Sequence, residues 1–285
     1  MFIKYLWSPN SINIFLRVVV ELCEEHSITN TDQSGFRIES LQLDTPNFGK
    51  ETIHYVNQLD VSKTSSLKSN EENKDEASIV QSSTDLIAGV YEGGFKIWEC
   101  TYDLLSYLSE VAQLEFLKST SVLDLGCGSG MLGIYCGIHG AKEVTFQDYN
   151  SEVVKGVTIP NYIANIHNRS DMNCKPFFFS GPWDTFRTAA NNHEKRYDLI
   201  ITSETIYNTQ HYSSLLEIFD FFLSSKGKVL LAAKTNYFGV GGGMRQFENA
   251  ISGDTQISCK WNYSTVKIHE DNVKREILEI TRKIK

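Results

Sequence analysis

The chain has 285 residues, 41% of them hydrophobic, and a formal net charge of −8. That is apolar material enough for one large domain, or one domain with an appendage. The acidic balance argues against bulk attraction to a nucleic-acid backbone and leaves basic proteins as the partners that charge favours.

In chain order, the stretch 12–23 is interrupted by Asn13, Arg17 and Glu21. It is too short and too charged to span a bilayer, and it lacks the apolar run and small-residue cleavage site of a signal peptide. The first 56 residues offer one amphipathic helix, over 12–25, and no clear domain. Residues 57–85 are dominated by Ser, Asn, Lys, Glu and Asp, a composition that cannot bury enough apolar area to offset chain entropy, so disorder is expected there. Residues 1–84 read as a poorly ordered leader and linker, residues 85–285 as the folded domain.

From residue 86 apolar runs alternate with helical-period segments, the signature of β-α-β units on a mostly parallel sheet. Strands are predicted over 121–125, 143–147, 176–179, 197–202 and 228–233, with helices over 130–139, 152–166 and 212–223. Two further strands, 261–268 and 275–280, are joined by a connection short enough for a hairpin. An α/β fold results, a Rossmann-like parallel sheet ending in an antiparallel hairpin, the outline of S-adenosylmethionine (AdoMet)-dependent methyltransferases. The six cysteines, Cys23, Cys100, Cys127, Cys136, Cys174 and Cys259, form no C-x-x-C pair, and no two histidines stand at ligand spacing. No metal site or disulfide framework is expected, and free thiols point to cytosol or nucleus.

The run VLDLGCGSG, residues 122–130, carries a buried strand into a turn with Gly126, Gly128 and Gly130, where the backbone can approach a ligand. Gly128, Gly130 and Gly133 also satisfy G-x-G-x-x-G, so a nicotinamide cofactor competes with AdoMet at this point. Asp124, two residues before the first glycine, favours AdoMet: a carboxylate there suits a methionine ammonium and repels a pyrophosphate. Gln147, Asp148 and Tyr149 end the second strand, where an acid can hold ribose hydroxyls for either cofactor. The fourth strand ends in Ser203 and Glu204, with Tyr207 three residues on. Carboxyl ends of strands are where ligands sit in open α/β sheets, which makes Glu204 and Tyr207 the candidate catalytic pair. A solvated helix cap and a packing tyrosine are the structural alternative.

Three more segments, DLIAGVYEGGFKIWECTYDLL (85–105), FFSGPWDTF (178–186) and KTNYFGVGGG (234–243), complete a resemblance to the protein-histidine N-methyltransferases of the methyltransferase-like eighteen family. It covers 83–280. The resemblance implies a pocket lined by Ile97, Trp98, Glu99, Cys100 and Thr101, with Gly126 in the glycine loop. It further implies Gln147, Asp148 and Tyr149 around ribose and adenine, Gly181, Pro182 and Trp183 on the adenine side, and Ser203 beside the methionine portion. This chain has Pro182 where the family carries a glutamate, leaving the backbone and Trp183 to serve there. The resemblance also implies a histidine acceptor on a ribosomal large-subunit protein, L-three, a monomer, and a place in cytoplasm and nucleus, with no direct nucleic-acid or membrane contact. Protein lysine methylation and a non-catalytic binding module are the competing readings. For Trp98 and Cys100, burial in the core is the alternative; for 239–243, a flexible loop competes with a substrate-facing lip.

Overall fold

The structure is a computed structural model that describes residues 14–17, 25–28, 38–45, 49–56, 92–167, 173–191, 195–253 and 259–283. The polar linker expected over 57–85 lies outside them. Within the leader, β1 (Ile14–Arg17) pairs antiparallel with β2 (Glu25–Ile28), and β3 (Ile38–Thr45) with β4 (Gly49–Val56). Over 12–25, then, the described residues 14–17 are strand where a helix was expected. β-Branched and aromatic residues in this segment suit a pleated strand as well as a helix face.

Two short helices, α1 (Glu99–Leu108) and α2 (Val111–Leu117), precede the sheet. Then follow β5 (Ser121–Leu125), α3 (Met131–Ile138) and β6 (Glu143–Asp148). The next helix, α4, has three parts: a turn at Ser151–Val153, a π-helical stretch at Val154–Thr158, and Ile159–His167. The widening sits beside Pro160, which has no N–H for the helical ladder. β7 (Lys175–Ser180), α5 (Trp183–Asn191), β8 (Tyr197–Ser203), a 3₁₀ turn at Thr209–His211, α6 (Tyr212–Phe222), β9 (Leu223–Lys234), α7 (Met244–Gly253), β10 (Trp261–His269) and β11 (Arg275–Arg282) complete the order.

β5 to β11 form one seven-stranded sheet in the order β10-β11-β9-β8-β5-β6-β7. Neighbours from β7 to β9 run parallel, and β11 and β10 turn antiparallel at one edge. Side chains alternate along β5, Val122 packing into one core and Leu123 and Leu125 into the other. Leu104 and Leu108 of α1, Ile134 of α3 and Tyr162 of α4 cover the first face. Phe186 of α5, Phe219 and Phe222 of α6 and Phe247 of α7 cover the second. Burial on both faces is what a central parallel strand requires and explains its apolar run. β4 joins the first core: Ile53 is fully buried, and the Asn165 amide of α4 accepts from the His54 N–H (3.0 Å) and donates to the His54 carbonyl (2.7 Å). The chain reverses its winding between β5 and β8, so their carboxyl ends open a crevice at the switch point.

Candidate active site

A cleft of about 420 Å³ occupies that crevice. Of the residues predicted to build it, Ile97, Trp98, Thr101, Gly126, Gly128, Asp148, Tyr149, Pro182, Trp183, Ser203, Glu204 and Tyr207 line its wall. Glu99, Cys100, Asp124, Gln147 and Gly181 do not. Each has a reason for lying elsewhere. Glu99 is exposed at the start of α1, 3.3 Å from the Lys234 ammonium. Cys100 is fully buried on the core side of α1, the fate expected of a small hydrophobe. Asp124 is 1% exposed and its Oδ2 accepts from the Gly133 N–H (2.9 Å), beneath the glycine loop rather than at the cleft. Burial pushes its carboxyl up to about 8. Gln147 and Gly181 brace the cleft from behind. The Gln147 amide donates to the Gly181 carbonyl (2.8 Å) and accepts from the Trp183 indole N–H (3.1 Å), fixing the ring that walls one end.

The glycine loop owes its shape to parts of the chain far from it. Gly126, Gly128 and Gly130 all have φ between 50° and 73°, a region closed to most side chains. Thr158, at the end of the π-helical stretch, donates to the Gly128 carbonyl (2.7 Å), and Asn161 donates to the Ser129 carbonyl (2.8 Å). Gly133 is different. A Cβ there would meet Phe146 at 2.5 Å and Val144 at 2.8 Å, so it is glycine because α3 packs hard on β6. Asp148 takes the Gly128 N–H (2.9 Å) and the Asn150 N–H (3.1 Å) on its two oxygens. Burial pushes its carboxyl up to about 6, against those hydrogen bonds.

At the carboxyl end of β8, Glu204 has φ 60° and is 8% exposed. A left-handed backbone on a residue with a side chain costs about 1–3 kcal/mol and persists only where its surroundings enforce it. They do: the Glu204 N–H donates to the Ala232 carbonyl (2.9 Å), and its Oε2 accepts from the Tyr237 hydroxyl. The Tyr237 oxygen in turn accepts from the Lys234 N–H (3.3 Å). Burial, and then the Glu204 carboxylate, hold that phenol protonated, well above its ordinary value, and act on the Cys100 thiol in the same way. Glu204 Oε1 has no hydrogen-bond partner among the described residues; the Lys234 ammonium is 3.9 Å away. The Tyr207 ring packs edge-on to Tyr237 with centroids 6.4 Å apart. Asn208 turns away from the cleft to cap the 3₁₀ turn through the Gln210 N–H (3.0 Å). Tyr237 and Lys234 escape sequence reasoning: they sit in a segment known only as a resemblance, 33 residues from Glu204 in the case of Tyr237.

Residues 75–241 match the sequence profile of a family described as lysine methyltransferase. The chain belongs to this methyltransferase family. Among its relatives, the histidine protein methyltransferase 1 homolog of Bos taurus is 43% identical over 254 residues, 81% of this chain and 66% of the relative. The homolog of Dictyostelium discoideum is 43% identical over 70% of this chain and 62% of its own length. The chain thus spans a little under two thirds of the length of these relatives. A solved structure from Streptococcus mutans, assigned as a SAM-dependent methyltransferase, superposes with a TM-score of 0.51 at 12% identity, over 95% of this chain and 62% of that one. At that identity the likeness carries the fold alone.

Methyltransferases of this fold take their methyl from AdoMet, and the cleft fits that group. Four carboxylates line it, Glu92, Asp148, Asp184 and Glu204, against one amine, Lys96. Such a surface suits a ligand bearing a sulfonium and an ammonium and repels a dinucleotide's pyrophosphate. The Gly128 N–H, which a pyrophosphate would seek, is already given to Asp148. Trp98, Tyr149 and Trp183 give the cleft flat aromatic faces.

Proposed function

We propose that the chain is an AdoMet-dependent protein methyltransferase that places a methyl group on a histidine ring nitrogen of its substrate. The observation that carries this reading is Glu204: a carboxylate on the wall of an anionic cleft, oriented through one oxygen by Tyr237 and short of a donor on the other. Asp148 would hold the ribose hydroxyls, Trp183 and Tyr149 the adenine, and Thr101 and Ser203, whose hydroxyls lie 3.2 Å apart, the methionine portion. The cofactor would supply an electrophilic methyl, which a neutral imidazole nitrogen would take as the carbon–sulfur bond breaks and S-adenosylhomocysteine leaves.

The chain's own residues do the rest. A buried carboxylate lacking a donor is costly, and a substrate N–H relieves it. The Glu204 carboxylate accepts from the ring nitrogen that does not react, which fixes the tautomer and stabilises the imidazolium as it forms. The imidazole, with an ordinary pKa of about 6.5, reaches the cleft neutral near pH 7, so no base is required before attack. Alignment is the main contribution, and holding reacting atoms about 3–3.5 Å apart is worth roughly 7–11 kcal/mol. The names of the relatives support histidine, whereas the description of the family profile favours lysine.

The test is transfer of labelled methyl from AdoMet into extract proteins, followed by mapping of the modified side chain. Label on a histidine ring supports the proposal; label on a lysine amine, or none at all, overturns it. We extend the proposal to a basic ribosomal large-subunit protein, L-three, as the acceptor, which the net charge of −8 favours. A monomeric enzyme working in cytoplasm and nucleus is consistent with that acceptor.

A further inference from the structure

Against Glu204 and Tyr207 of the cleft wall, the segment 237–243 closes a tight loop. The Tyr237 N–H donates to the Gly242 carbonyl (2.9 Å), and the Gly241 N–H to the Tyr237 carbonyl (3.1 Å). Its base is wedged in place. A Cβ on Gly242 would stand 2.3 Å from the Tyr207 carbonyl, and the Gly243 N–H donates to the Tyr212 hydroxyl (2.9 Å). Its tip is free. Gly239 and Gly241 have φ of 84° and 90° and nothing within 4 Å of a Cβ, so glycine is required there by backbone shape and not by packing. Beside them stand the tip's apolar side chains, Phe238 before Gly239 at 91% exposed and Val240 between the two glycines at 48%. No other large hydrophobic among the described residues exceeds 48%.

We infer that this tip is a docking lip for the protein substrate, Phe238 seating against an apolar side chain that flanks the methylated residue. A bare aromatic in water contributes nothing to the fold of this chain, while aromatic anchors dominate protein interfaces. The lip's position names the occupant. One end of the loop, Tyr237, holds Glu204, and the other, Gly242, abuts Tyr207. A protein that presents a residue to that pair comes up beside the loop that carries the tip. Loops fixed at the base and free at the tip are also where recognition concentrates on rigid scaffolds. The inference rests on the reading that the acceptor is a protein.

The experiment titrates extract protein at saturating labelled AdoMet, for wild type, Phe238→Ala and Phe238→Asp, with AdoMet affinity measured in parallel by calorimetry. The expected result is a half-saturating extract concentration raised about tenfold in Phe238→Ala and further in Phe238→Asp, with wild-type AdoMet affinity in both; tenfold corresponds to one well-packed interface side chain. Wild-type concentration dependence in both variants overturns the lip and leaves the methyltransferase reading standing. No transfer by wild type overturns both. If wild type sediments as a dimer that Phe238→Ala dissociates, the tip belongs to a second copy of the chain and the inference falls.

Discussion

Replacing Tyr237 by phenylalanine removes one oxygen and, with it, the donor to Glu204 Oε2 and the acceptor of the Lys234 N–H. The ring keeps its volume and its edge-on contact with Tyr207, so the perturbation stays close to those two bonds. A hydrogen bond to a charged group is worth about 1.5–3 kcal/mol. Oε1 already lacks a hydrogen-bond donor and has only the Lys234 ammonium, 3.9 Å away, so the variant leaves both carboxylate oxygens short of hydrogen bonds and the side chain freer to leave its productive orientation. If that whole loss falls on the transition state, at about 1.4 kcal/mol per decade the methyl-transfer rate drops roughly 10- to 150-fold. The assay is steady-state transfer of labelled methyl with both substrates saturating, beside calorimetric AdoMet binding and urea denaturation. We expect the rate to fall by that factor, AdoMet affinity to hold within twofold, and stability to fall by about 1–3 kcal/mol, too little to empty the folded state. Glu204→Gln loses at least as much rate. A Tyr237→Phe enzyme at full speed, with Glu204→Gln crippled, would refute the claim that the tyrosine orients the carboxylate; both at full speed would remove Glu204 from the mechanism.

Asp148 gives a pH test. Its folded value of about 6 lies above the ordinary 3.8, so its contribution to unliganded stability is fully present below 3.8 and is lost as pH rises through 6. Ribose hydroxyls donate more strongly, and to both oxygens, when the carboxyl is charged, so calorimetric AdoMet affinity should weaken as pH falls below about 6, and Asp148→Asn should flatten that dependence while weakening binding at neutral pH. Gly133→Ala forces a methyl to 2.5 Å from Phe146 and should cost about 1–3 kcal/mol in urea denaturation, a packing loss that a ligand-facing glycine would not show. Asn165→Ala removes the two hydrogen bonds that its amide makes with the His54 backbone, and limited proteolysis should then cut β3–β4 ahead of the rest of the chain. Gln147→Ala releases the Trp183 indole and the Gly181 carbonyl; intrinsic fluorescence should shift and AdoMet affinity fall about tenfold, the loss of one buried hydrogen bond or more.

The middle of the sheet was legible because its strands are buried on both faces and carry apolar runs, as at 199–201, and because the glycines of 126–130 mark a backbone shape that few other residues take. The helices that went unread had weaker local signals. α1 has Trp98 at its N-cap position, with no side-chain cap, and α5 and α7 pair a few apolar residues with many polar ones. β4 was hidden for another reason: Ile53 is buried by α4, more than a hundred residues away, and no local pattern records that. The site divides along the same line. Residues at strand ends, Asp148, Ser203 and Glu204, follow from topology. Whether a side chain faces the ligand or braces the wall does not. Gln147 and Asp148 are neighbours on one strand, so they point to opposite faces, and only the structure tells that the glutamine is the brace.

The glycine loop is held by Thr158 and Asn161, side chains thirty residues downstream that seat on its carbonyls. Transplanting VLDLGCGSG alone into another Rossmann scaffold would carry the letters and leave the scaffolding behind. A designer who wanted the pocket would have to import the widened helical turn that delivers Thr158, together with the proline that follows it.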